Sequence, residues 1–432
     1  MTRTPERLSA VDALTRIREG DLTVEALAGA CLERIRARES AVHAWAYVNA
    51  EQVLEQARAL DRAGPCGPLF GLPIGIKDVF LTRDMPTQYN SPLYEGFSGG
   101  VDAACVTLLR EAGALILGKT ETAEFASSGR LAPTLNPHDL SRTPGGSSSG
   151  SAAAIADFHT PLAIGTQTGG SVIRPASYCG VFGFKPTWGM VSAEGAKTFS
   201  PSMDTVGWFA RTADDLILVN DALVPVEPGT PDFRLEGARI AVCRSPVWGQ
   251  AGTETRDALA QESLRLAAAG AIVTEIDLPA PFDQLVDVQK CIMLSEGRAT
   301  FLAEYRKDPE RLHPGLRSQV ENAAGYTLAQ LREAHDIAAS CRREFDAIAG
   351  EFDAVLTPST VGCAPPATEG SGAMIFNSGA KVRTPTSSRT WSFPLPVQPW
   401  ATYSAPSAWA IFARCFAING RPSAVASGYF PS

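Results

Sequence analysis

Three residues of this sequence stand where nucleophilic chemistry could be done. Lys77 lies inside an apolar, strand-like run, GLPIGIKDVF. Ser147 lies in PGGSSSGS and Ser171 in GTQTGGSVIRPA. A serine hydroxyl attacks a carbonyl only when a base removes its proton. A lysine supplies that base when burial disfavours its charged form and leaves a neutral amine. Each residue also has a plainer reading. A lysine in an apolar run commonly snorkels at a strand edge, here beside Asp78. Serines between glycines commonly make tight turns.

Two other templates fit less well. Gly146-Ser147-Ser148-Ser149-Gly150 matches the GxSxG nucleophile elbow literally and would make Ser148 the nucleophile. That motif follows a strand and needs a later histidine. Residues 133–145 (PTLNPHDLSRTPG) carry no strand pattern, and His313 and His335 sit in charged helical surroundings. GMVSAEGAK, residues 189–197, has the glycines and lysine of a phosphate loop at the wrong spacing. The nine cysteines are scattered, with no CxxC pair, and the five histidines show no HxxxH or HxH spacing. That pattern suits reduced thiols in a cytoplasm, and neither a metal nor a cofactor is expected.

The elements that would hold these residues alternate in type. Residues 8–62 repeat apolar groups at helical spacing (Val24, Leu27, Cys31, Leu32, Ile35) and predict two or three helices. Short apolar strands are expected within 67–81 and at 114–118, 161–166, 238–243, 271–277 and 354–359. Helices are expected near 102–112, 283–304 and 327–350. The pattern predicts an α/β fold around one mixed sheet. Residues 144–189 are rich in Gly and Ser, but strands and the helix former SAAAIA interleave with the glycines, so a linker is a poor reading. A net charge of −8 argues against phosphate-driven nucleic-acid binding. No run of eighteen apolar residues exists to cross a membrane, and the amino terminus reads as an amphipathic helix rather than a signal peptide.

Taken together the segments resemble the amidase signature family. The likeness is carried by GxPxxIKD at Lys77, GKTxxxEF at 118–125, NP…TPGGSSSGSAAA from Asn136, and CGVxGFKPT at 179–187. It implies a central mixed β-sheet flanked by helices on both faces. It also implies a Ser–Ser–Lys triad of Lys77, Ser147 and Ser171, with a cis Gly146–Ser147 peptide. In that scheme neutral Lys77 takes a proton from Ser147, Ser147 takes one from Ser171, and acyl-Ser171 is later hydrolysed. The backbone N–H groups of Thr168, Gly169, Gly170 and Ser171 would form the oxyanion hole. Within the family the chain looks closer to malonamidase-like bacterial amidases than to the A-type subunits of tRNA-dependent amidotransferases. Its arginine falls three residues after the nucleophile, and Gln167 stands where Asp is usual. The resemblance makes Arg174 a ligand for a substrate carboxylate, and the competing reading is an arginine tying down a loop.

The expected reaction is hydrolysis of a small carboxylic amide, the amide being the partner. An amidotransferase A-type subunit, or an inactive homologue acting only within a complex, is the alternative. Neither nucleic acid nor membrane is an expected partner, and the oligomeric state is left open with a homodimer as candidate. The expected organisation is a helical region at 1–62, an α/β core at 63–378 and an atypical segment at 379–432. Residues 371–432 contain none of the chain's 46 acids, seven of its 31 prolines and three of its seven tryptophans. No steady period of 2 or 3.6 runs through segment 391–418, so an irregular or poorly ordered chain is expected beyond about residue 378.

Overall fold

Local capping chemistry starts the predicted amino-terminal helices. In the computed structural model, which describes residues 4–127, 129–224, 234–377, 390–392 and 424–426, they are α1 (Ala10–Glu19), α2 (Val24–Val42) and α3 (Ala50–Ala63). The side chains of Ser9, Thr23 and Asn49 accept from the backbone N–H groups of Asp12, Ala26 and Gln52. Each thereby satisfies a donor that the first helical turn leaves open. The inward faces join the core of the sheet, Leu27 and Cys31 sharing one cluster with Ile74 and Ile116. A short strand that periodicity did not reveal, β1 (Trp45–Tyr47), lies between α2 and α3.

The central sheet follows. Its strands are β2 (Pro73–Lys77), β3 (Leu115–Thr120), β4 (Leu162–Gln167), β5 (Phe182–Lys185) and β6 (Thr205–Ala210). Helices α4 (Ala104–Glu111), α5 (Ser149–Ala156), α6 (Ile173–Cys179) and α7 (Ala213–Leu223) connect or follow them. With a late strand, β10 (Thr390–Ser392), the order is β1-β3-β2-β4-β6-β5-β10. Strand β2 runs parallel to β3 and β4, while β6 is antiparallel to β4 and β5. Every residue of β2, β3, β4 and β6 is buried. Burial on both faces explains why these strands read as apolar runs rather than alternations.

One expectation needs correcting. The strands foreseen late in the chain, β7 (Arg239–Arg244), β8 (Ile272–Asp277) and β9 (Ala354–Leu356), do not lengthen the central sheet. They form a second, parallel sheet ordered β11-β9-β7-β8, where β11 is Ala424–Ala426. The helices of this part are α8 (Thr253–Ala268), α9 (Leu285–Thr300), α10 (Leu302–Lys307), α11 (Pro314–Val320) and α12 (Leu328–Ala349). Apart from β10 and β11, the irregular chain expected beyond residue 378 lies outside the described residues.

A buried ion pair braces the strand that carries Lys77. Asp78 Oδ1 lies 2.9 Å from Lys119 Nζ on β3, with side chains 2% and 0% exposed. Lys119 also donates to Phe80 O and Thr87 Oγ1, and Asp78 accepts from the N–H groups of Gln88 and Tyr89. Burial raises the Asp78 carboxyl and lowers the Lys119 ammonium, each opposed by its partner. Lys119→Met would strand the carboxylate in a dry site. It is expected to cost roughly 3–5 kcal/mol, seen as a lower urea midpoint at unchanged slope. An unchanged midpoint would show that Asp78 is satisfied without the lysine.

Candidate active site

Parallel pairing brings the exits of β2 and β4 to one edge of the sheet, where open α/β sheets collect their ligands. Ile76 pairs with Ile164, so Lys77 at the end of β2 stands beside Thr166 near the end of β4. Lys77 is completely buried. Its Nζ donates to Ser147 Oγ and to Thr166 Oγ1, both at 2.8 Å. Burial holds the Lys77 ammonium well below the usual lysine range, and the charge of Asp204 opposes that fall. The amine is therefore neutral at a pH where an ordinary lysine is charged.

The glycine-serine turn is fitted tightly against this edge. The Gly146–Ser147 peptide is cis. Ser147 O accepts from Ala123 N at 3.2 Å, and Gly150 N donates to Glu121 O at 3.1 Å. A Cβ on Gly150 would stand 2.2 Å from Ala44 O and 2.4 Å from Glu121 N, so only glycine allows the start of α5 to approach so closely. Ser148 is wholly buried and bonds the backbone of Thr166, donating to its O and accepting from its N–H. A serine so engaged is a brace between turn and strand, which argues against the elbow reading. His313 accepts from Gly315 N at a helix start and His335 lies 3.6 Å from Glu296, so neither reaches the serines. Lys197, of the discarded phosphate-loop pattern, pairs with Glu304 at 2.6 Å.

The second glycine-serine loop follows β4. Gln167 is buried, and its Oε1 accepts from Val172 N and Ile173 N at 2.9 and 3.0 Å. A neutral amide thus closes the loop where the resemblance leads one to expect a carboxylate. Among the described residues the N–H groups of Thr168, Gly169, Gly170 and Ser171 donate to nothing. Ser171 makes no side-chain hydrogen bond there either. Ser147, Thr168, Gly169, Ser171 and Arg174 line a cavity of about 420 Å³. Leu131, Phe199, Met293 and Met374 add apolar lining. Its size and mixed lining suit a small organic molecule.

These features raise the question of kinship. The profile of the family described as Amidase matches residues 26–408. This chain belongs to the amidase family. The A-type subunit of a glutamyl-tRNA(Gln) amidotransferase from Acidothermus cellulolyticus is 42% identical over 297 residues, which is 63% of this chain. The match spans 59% of that relative's length. Among solved structures, one described as an amidase shares 30% identity at a TM-score of 0.77, covering 87% of this chain and 89% of its own. The native peptide amidase from Stenotrophomonas maltophilia shares 28% identity at a TM-score of 0.74, covering 87% and 88%. The expected mixed sheet with flanking helices is the fold of these amidases.

In this member of the family, Arg174 has a place of its own. It is 6% exposed, and its two terminal nitrogens donate to Gly372 O and, at 2.5 Å, to Gly146 O. It therefore ties the Ser147 turn to the segment after β9. No carboxylate pairs with it among the described residues, its Nε has no hydrogen-bond partner, and burial lowers its pKa only to about 10. A charged guanidinium thus borders the cavity.

Sequence reasoning missed three parts of the site. Thr166 shares Lys77 with Ser147, and its only signal was a polar residue ending an apolar strand. Asp204 accepts from Thr168 Oγ1. It is the sole acid between Glu194 and Asp214, with nothing in the sequence to direct it to β4. Residues 371–374 wall the cavity, with Met374 so close to Gly169 that a Cβ there would stand 2.2 Å from its Sδ. Their glycines and small residues carried no motif.

Proposed function

We propose that this protein hydrolyses a small carboxylic amide through an acyl-Ser171 intermediate, with Lys77 as base, Ser147 as proton relay and the N–H groups of 168–171 as oxyanion hole. The observation that carries the reading is a fully buried, depressed lysine 2.8 Å from Ser147, at a cavity that Ser147 and Ser171 share. Lys77 takes the Ser147 proton as Ser147 takes that of Ser171. The Ser171 oxygen adds to the amide carbon, and negative charge gathers on the carbonyl oxygen, where open N–H donors are worth most. Ser147 then protonates the departing nitrogen, and water cleaves the ester. No cofactor is called for, and the scattered free thiols support a cytoplasmic setting. Among the described residues no helix is long and apolar enough to cross a membrane. The test is ammonia or amine release from a panel of small amides by the isolated protein, with no turnover of any of them counting against it.

A second reading has one observation in its favour, the likeness to the amidotransferase component. On that reading Ser171 still takes a fluorophosphonate label, while the isolated chain turns over no amide until partner proteins are added.

The bare Arg174 charge supports a preference for amides that also carry a carboxylate. Arg174→Ala is expected to raise KM for acidic amides by about ten- to a hundred-fold beyond its effect on neutral ones of equal size. That is the worth of one charge-assisted hydrogen bond. Equal losses for both classes would leave Arg174 as the tie between Gly146 and Gly372 alone.

A further inference from the structure

We propose that Asp204 is a positioning residue for this reaction, anchoring the Thr168–Ser171 loop and fixing a carboxylate charge at the β4 exit where Lys77 is bonded to Thr166; the inference rests on the reading above.

Register places it. Thr205 at the start of β6 pairs with Gln167 at the end of β4, so the preceding residue, Asp204, meets the first residue of the loop. Thr168 Oγ1 donates to Asp204 Oδ1, and Oδ2 accepts from Phe199 N at 2.5 Å and Ser200 N at 3.1 Å. The carboxylate is thus fixed by donors on two sides, between the loop and the cavity wall at Phe199.

A fixed anion beside an oxyanion hole is unfavourable for the oxyanion itself, so its use must lie elsewhere. Lys77 is the group whose charge changes in the proposed relay. Burial alone yields a neutral amine that is also a feeble proton acceptor, and a general base works best when its affinity is matched to the working pH. Asp204 is the charge that works against burial at Lys77. Other charged groups around the lysine are engaged or set further off. Asp78 is turned onto Lys119 of β3. Arg174 is bonded to Gly372 O and Gly146 O. Glu296 on α9 accepts from Ser200 Oγ on the far side of the Phe199–Ser200 turn. Glu121, at the end of β3, is raised to about 7 by burial and then by Asp78.

The test is the pH profile of kcat/KM for wild type, Asp204→Asn, Asp204→Glu and Thr168→Val. Removing the charge lowers the proton affinity of Lys77, so Asp204→Asn should move the acid limb to lower pH. Its plateau should fall by up to about 100-fold as base strength and loop placement are lost. Asp204→Glu keeps the charge and should keep the limb, even where its plateau drops. Thr168→Val cuts the tether but not the charge, and should lower the plateau with the limb in place. Glu121→Gln should leave the limb where it is. A limb that stays put in Asp204→Asn, or moves equally in Thr168→Val, overturns the inference. A wild type without any acid limb instead removes the lysine-base reading on which it stands.

Discussion

Ser171→Ala is expected to lower kcat for amide hydrolysis by roughly 10⁴-fold or more, the scale on which loss of a nucleophile acts in serine hydrolases. The fold should survive, because the hydroxyl makes no hydrogen bond among the described residues and its loss strands no partner. A change within about 0.5 kcal/mol of unfolding free energy is expected, as for other substitutions that remove no buried contact. Ser147→Ala differs in kind. It deprives Lys77 of one of two hydrogen-bond partners and breaks the relay, so activity and local order at the lysine should both suffer. Ammonia release and thermal melting of the two variants, with mapping of a fluorophosphonate label, separate the possibilities. Label on Ser148 would revive the elbow template despite the burial of that residue. Wild-type activity in Ser171→Ala would end the assignment.

How much of this was legible in the sequence differs between local and distant relationships. The strand that carries Lys77 was legible because burial on both faces demands an unbroken apolar run, and PIGIK is such a run. The amino-terminal helices were legible because their apolar stripe and their Ser, Thr and Asn caps are written in adjacent residues. The first glycine-serine turn stood out because backbone passing 2.2–2.4 Å from a would-be Cβ on Gly150 admits no other residue, whereas at Gly169 in the second the close atom is the Met374 sulfur. Two strands, β5 and β6, went unseen. TVGWFA at 205–210 is short and wholly buried, and its antiparallel partner FGFK was noticed only as part of a motif.

The remainder depends on which strands lie side by side. Nothing local in ARIAVC or AVLTPS says that they join each other in a second sheet instead of extending the first. The Thr166 hydroxyl matters because β4 lies parallel to β2 in one particular register. Asp204 matters because β6 returns antiparallel beside β4. Arg174 shows the limit most clearly. Its position three residues past Ser171 put it at the cavity, but only the folded chain reveals that two of its nitrogens are taken by Gly146 O and Gly372 O. Of the two roles weighed for it from sequence, loop tie and carboxylate ligand, these contacts are those of the loop tie.

Lys77→Met is expected to cost roughly 10²–10⁴-fold in kcat/KM, the range for a general base, and to abolish the acid limb of what activity is left. In wild type the protonated amine is inert, so activity should climb by about tenfold per pH unit until Lys77 has lost its proton, then level off. The sign follows from the cause. Burial lowers the proton affinity of Lys77, so the limb lies well to the acid side of an ordinary lysine. Lys77→Arg should fail as badly as Lys77→Met although it keeps a cation, because a guanidinium holds its proton throughout the accessible range and cannot act as base. Its failure separates the need for a base from the need for a charge. Profiles of the three proteins on one amide decide the matter. An active Lys77→Arg enzyme, or a limb that persists in Lys77→Met, would assign the titration to another group, and Glu121, pushed up to about 7 by burial, would be the first to replace.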